Sequence, residues 1–112
     1  MIIYIAGQYS AKTDEERQTN VNKAIESSVG VIIRGHVPII PHLTHYMDKI
    51  YRKMGVELEY KDYIKIGIAI LRRCDALFVI SNSEGVSQEI QEAVRMGMRI
   101  YRDVNDIPYA TK

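Results

Sequence analysis

Tryptophan is missing from this chain of 112 residues, and cysteine and phenylalanine occur once each. Because Cys74 stands alone, no internal disulfide can form and no multi-cysteine metal centre can be assembled. The thiol between Leu71 and Leu77 reads as a small buried apolar group. Fifteen basic residues against fourteen acidic ones leave a net charge of +1, mixed along the sequence, so no continuous basic footprint for a nucleic-acid polymer exists. No apolar run approaches the roughly 20 residues that span a bilayer. Met1 leads straight into β-rich sequence with no basic, apolar, small-residue leader. The expectation is a soluble cytoplasmic protein without a membrane partner. Gly7 lacks the further glycines of a dinucleotide fingerprint and no Gly-Lys-Ser/Thr follows it, which removes both the Rossmann and the P-loop readings.

What is present suffices for one compact domain over 1–112, since 46% of the residues are hydrophobic. Ile2-Ile3-Tyr4-Ile5-Ala6 is a strand ending at Gly7, and it delivers the loop Gly7-Gln8-Tyr9-Ser10 to the carboxyl edge of a sheet. Thr13 and Glu16 fit a capping box opening a long helix, with Val21, Ala24, Ile25, Ser28, Val29 and Ile32 at helical spacing as far as Gly35. Val37 to Pro41 is a short strand, and its two prolines push it toward a sheet edge. His42 to Gly55 reads as a loop with a short helix. Leu58 to Arg73 turns helical, apolar around so much of its circumference that it belongs at the centre or at a subunit interface. Asp75 to Ile80 is a buried strand, Val86 to Gly97 an amphipathic helix, and Met98 to Tyr101 a last strand. This β-α-β-α-β-α-β order implies a parallel α/β sheet with right-handed crossovers and helices on both faces.

The chemistry concentrates at Ser81-Asn82-Ser83-Glu84-Gly85-Val86-Ser87-Gln88-Glu89-Ile90. A buried strand that ends in turn residues and runs into a helix sets backbone donors and a carboxylate around one crevice. On a helical wheel Glu89 borders the stripe of Val86, Ile90 and Ala93, while Glu92 and Arg95 lie further toward the polar side. Glu89 is the better-sheltered carboxylate, suited to nucleophilic or acid/base work. Burial raises its pKa and the helix N-terminus lowers it, leaving the net direction open. Tyr9 on the first loop suits stacking against a base or bonding to a ribose oxygen. His42, His45 and Asp48 resemble a metal set, but their spacing matches no zinc pattern. A place at the substrate rim suits them better. Tyr46, Tyr51, Tyr60 and Tyr63 suit either a base-stacking wall or interface packing.

Taken together, Ile3-Tyr4-Ile5-Ala6-Gly7, Cys74-Asp75-Ala76-Leu77 and Ser83 through Ala93 resemble the nucleoside 2-deoxyribosyltransferase superfamily over nearly the whole chain. Pro41-His42-Leu43-Thr44-His45-Tyr46 and Tyr60-Lys61-Asp62-Tyr63 are similar to its small phage and bacterial members, deoxynucleotide N-glycosidases included. The resemblance implies a single domain with a flavodoxin-like parallel sheet of four to five strands. It implies cleavage or transfer of the N-glycosidic bond of a (deoxy)nucleoside or its 5′-monophosphate, with Glu89 as nucleophile. Ser83, Gly85 and Val86 would hold the 5′ group, and Gly7, Gln8, Ser10 and His45 would complete the substrate site. No cofactor and no metal is called for, and a homo-oligomer, dimer or tetramer, is expected. One departure stands out: relatives commonly carry an Asp where this chain has Gly67. Tyr9, Asp75 or a residue of a neighbouring subunit would have to take its role. The alternative is a non-catalytic module that binds or senses a nucleotide in the same crevice.

Overall fold

The computed structural model describes residues 1–111; Lys112, the last residue of the expected domain, lies outside them. Four parallel strands form the sheet: β1 (Ile2–Ala6), β2 (Val37–Ile39), β3 (Ala76–Val79) and β4 (Arg99–Tyr101), in the spatial order β2-β1-β3-β4. Four α-helices accompany them: α1 (Asp14–Ile33), α2 (Thr44–Lys53), α3 (Tyr60–Leu71) and α4 (Glu84–Arg95). This is the flavodoxin-like arrangement, and the sheet has four strands.

β1 and β3 lie in the middle with water excluded from both faces, so their alternating side chains build two cores instead of one. Ile3 and Ile5 of β1 join Ala76 and Phe78 of β3 against Ala24 and Val31 of α1. On the opposite face Tyr4 and Ala6 join Leu77 and Val79 against Leu71 of α3 and Val86 and Ala93 of α4. An Ile-to-Ala truncation at Ile3 or Ile5 therefore costs about 2–5 kcal/mol, the range for a side chain with no route to collapse.

The local signals act largely as their chemistry dictates. Thr13 caps α1, its hydroxyl accepting from the Glu16 amide at 3.1 Å. Three acidic residues in that first turn face the positive end of the helix dipole. After α1 the chain turns at Gly35, whose φ of 84° is a left-handed conformation that suits glycine. β2 takes the edge, pairing with β1 alone, as suits a strand that contains Pro38, while Pro41 lies beyond the strand and opens the helical turn Pro41–Leu43.

Two segments differ from the sequence reading. His42–Gly55 is mostly regular: a single helical turn at Pro41–Leu43 runs into α2, a helix of 10 residues. It buries His45 rather than an aliphatic stripe, so the apolar periodicity that marks helices is absent. α3 proves apolar on two sides for two reasons. Gly67 and Leu71 are buried while Ile64, Ile66 and Ile70 line a cleft, so a subunit interface is not needed to account for all of that surface.

Candidate functional site

The chain leaves β1 for α1 on one face of the sheet and leaves β3 for α4 on the other, so the loops beyond these two neighbouring strands diverge. A crevice opens at such a switch point. Here it is a cleft of about 790 Å³ bounded by the loop after β1, by α2, by α3 and by the start of α4, within the size range of small-molecule sites. Gly7 permits the two loops to lie close: a β-carbon there would stand 2.6 Å from Cγ1 of Ile80.

The floor is made by Tyr4, Gly67 and Glu89. Tyr4 alternates onto the α3 and α4 face of β1 and is buried to 1% exposure. Ser83 fixes the phase of α4, its hydroxyl accepting from the Val86 amide at 3.2 Å. Glu89 then falls one turn after Val86 and one turn before Ala93, on the side packed toward the sheet. A β-carbon on Gly67 would meet the Tyr4 hydroxyl at 2.7 Å and Oε2 of Glu89 at 3.7 Å. The hydroxyl of Tyr4 thus occupies the space that a carboxylate at position 67 would need.

Burial raises the Glu89 carboxyl to about 7, and a hydrogen bond from Tyr4 works against the rise. Burial also pushes the Tyr4 phenol far up, the Glu89 charge adding to it, so Tyr4 remains a protonated donor. Glu92, one turn further along α4, shows what cationic partners change. Its carboxylate accepts from Arg95 at 3.0 Å and from Arg72 at 2.8 Å and is held down at about 2. One helix presents a carboxylate that titrates near neutrality and another that stays ionised.

The α2 wall is polar. The Tyr9 hydroxyl and Nδ1 of His45 are 2.7 Å apart, and Nε2 of His42 donates to the Gly7 carbonyl at 2.8 Å. Burial lowers both imidazoles, opposed in His42 by its bond to Gly7 and assisted in His45 by the Lys49 charge. They are neutral at physiological pH. Asp48 accepts from the Tyr63 hydroxyl and, at 2.8 Å, from Nε of Arg52. Burial works to raise Asp48, but those two hydrogen bonds outweigh it and hold the carboxylate below its ordinary range.

Nine of the residues singled out from sequence meet at this cleft: Glu89, Tyr9, Gly7, Gln8, Ser10, His45, Ser83, Gly85 and Val86. Their availability differs. The Val86 amide is taken by Ser83, and the Gln8 amide donates to Oγ of Ser81 at 2.8 Å. Asp75 is not brought to the site. It precedes β3 at the amino edge of the sheet, where Oδ2 accepts from the Ile2 amide at 2.7 Å, so it has a structural partner and no view of the cleft. Sequence reasoning missed Tyr4, because a tyrosine inside a β-rich run looks like core. Asp48, expected at the substrate rim, and Tyr63, expected in a stacking wall or an interface, both line the cleft, but their hydrogen bond to each other was not foreseen. Among the described residues no group of three or more His, Cys, Asp or Glu is placed to hold a metal ion, and no helix is long and apolar enough to cross a membrane.

Fold and cleft define a small flavodoxin-like domain with a cleft open at its topological switch point. The chain belongs to the family described as "Domain of unknown function (DUF7768)", whose model matches residues 1–103. No curated protein matches it.

Proposed function

We propose that this domain cleaves or transfers the N-glycosidic bond of a nucleoside or its 5′-monophosphate through Glu89. The observation that carries the reading is the floor of the cleft. There a sheltered carboxyl, raised to about 7 and touched by the protonated phenol of Tyr4, lies at the base of a cavity of about 790 Å³. The ionised carboxylate attacks C1′ of the sugar, forming a C–O ester bond as the C1′–N bond breaks and the base leaves with its electron pair, taking up a proton. Water or a second base then attacks C1′ and releases Glu89, the retaining course of glycosyl transfer. Tyr4 holds Glu89 in line and lowers its pKa toward the working range. It stands where relatives of the resembled kind carry an Asp. Ser83 and the first-turn amides of Glu84 and Gly85, which have no intrahelical acceptor, form the seat for a 5′-phosphate or hydroxyl. A second copy of the chain across the open side of the cleft would complete a homo-oligomer, with a cytoplasmic location and no cofactor.

Release of free base from a panel of deoxynucleosides and their monophosphates, followed by chromatography, tests this. Glu89→Gln should lower release by at least about a thousandfold while nucleotide binding persists. Wild-type turnover in that variant would remove Glu89 from the mechanism. A second reading is favoured by Gly67, which leaves Glu89 without an acidic neighbour: a nucleotide-binding module that does not turn over. Tight binding with no base released from any member of the panel is its signature.

A further inference from the structure

Asp48 is not used by the mechanism above, yet it is an acceptor built with care. Its carboxylate is held from two sides, by the Tyr63 hydroxyl and by Nε of Arg52 at 2.8 Å, and its side chain is 17% exposed. A carboxylate offers about four lone-pair positions; two are filled, and two remain on a group that lines the cleft. Beside it His45 lines the same cleft at 2% exposure with Nε2 lacking a partner, a second polar position provided for and unfilled. Tyr63 stands one helical turn, about 5.4 Å, before Gly67 on α3. Asp48 on the α2 wall and Glu89 on the floor line the same cleft, so a nucleotide with C1′ over Glu89 can turn its base toward the wall that carries Asp48.

We infer that Asp48 reads the base, and that the base it selects is guanine; the inference rests on the nucleotide reading of the cleft. Guanine alone among the common bases carries two adjacent donors, N1–H and the N2 amino group, which pair with one carboxylate in a bidentate fork. Adenine and cytosine place a ring acceptor next to their amino donor and would set that lone pair against the carboxylate. Thymine flanks its one donor with two carbonyls. An ionised acceptor at this position therefore discriminates by repulsion as well as by attraction. Burying a charged acceptor without its donors is what makes the wrong base costly.

Equilibrium binding of dGMP, dIMP and dAMP to the intact protein tests this, with base release followed in parallel. The expected order is dGMP tightest, dIMP weaker by about tenfold for the missing amino donor, and dAMP weaker by about a hundredfold. Asp48→Asn, its folding checked by thermal melting, should compress the series to within a few-fold. Tyr63→Phe, which loosens the carboxylate without removing it, should keep the order. Equal binding of dGMP and dIMP, no binding of any of the three, or an unchanged order in Asp48→Asn overturns the inference. The wild-type series decides even if the variants do not fold. Guanine-selective binding without base release leaves this inference standing and removes the glycosidase reading. Base release without guanine preference does the reverse.

Discussion

Two of the carboxylates that line the cleft are each touched by a tyrosine hydroxyl, and these two are driven in opposite directions. On the floor, Glu89 meets Tyr4 and is raised to about 7; on the α2 wall, Asp48 meets Tyr63 and is held low. The phenol works the same way in both places, as a donor that favours the charged form. What differs is the company. Glu89 is packed between α4 and the sheet without a cation at its carboxylate, whereas Asp48 also takes a hydrogen bond from Arg52 at 2.8 Å. One donor cannot offset the burial of Glu89, while a donor and a cation together more than offset that of Asp48. The pair is thereby split into a group that titrates near neutrality, suited to chemistry, and a permanent acceptor, suited to recognition.

The sharpest way to break this contrast is to fill the gap at Gly67. A β-carbon placed 2.7 Å from the Tyr4 hydroxyl forces the buried ring to move, so Gly67→Ala should lose about 1–3 kcal/mol in denaturant unfolding for the overpacking. Displacing Tyr4 from Glu89 should also lower base release by about a hundredfold. Near-wild-type turnover in a folded Gly67→Ala would mean that the close fit of Tyr4 and Glu89 is incidental. Tyr4→Phe is gentler, since it removes the donor and leaves the packing. Release should fall by about tenfold. Because Tyr4 lowers the carboxyl's pKa, the rising limb of the pH–rate profile, near 7 in the wild type, should move to higher pH. A limb that stays or moves down would show that Glu89 is not the titrating group.

The last effect expected is on stability and leaves the chemistry aside. Glu89 is raised in the fold, so its contribution is fully present below the unfolded carboxyl value of about 4.5 and is lost as pH rises through about 7. Glu89→Gln mimics the neutral form at every pH. The wild type should therefore lose ground to this variant between pH 4.5 and pH 7, by no more than about 3 kcal/mol, in melts run across that window. A constant gap would show that the site is wetter than the packing of α4 against the sheet indicates.

The sequence shows some of these parts plainly and hides others for physical reasons. The runs Ile2–Ala6 and Ala76–Val79 stand out because strands buried on both faces must be apolar at every position. Glu89 stood out because Val86, Ile90 and Ala93 set the phase of α4 around it. Tyr4 could not be read, since nothing along the chain says that the space above its hydroxyl belongs to Gly67, more than sixty residues away. The gap left by an absent Asp was visible; that a phenol from β1 fills it was a fact of packing. Asp75 was only a secondary candidate, because the start of a strand is the end away from the crevice, and the structure keeps it there. It lies in a segment rich in the resemblance, but it sits on the amino side of β3 and bonds to the Ile2 amide, at the edge of the sheet away from the cleft. α2 was underestimated because its contribution is His45, Asp48 and their partners, a polar periodicity to which an apolar template is blind.

The central claim is that Glu89 forms the bond to the sugar. Rapid acid quench of the protein during turnover of a deoxynucleoside monophosphate, followed by intact-mass and peptide analysis, tests it most directly. The account predicts a mass increase of one deoxyribosyl phosphate located on the peptide containing Glu89, with the base found free in solution and no adduct in Glu89→Gln. Sustained base release by the wild type with no adduct at any quench time, and undiminished release by Glu89→Gln, would contradict it.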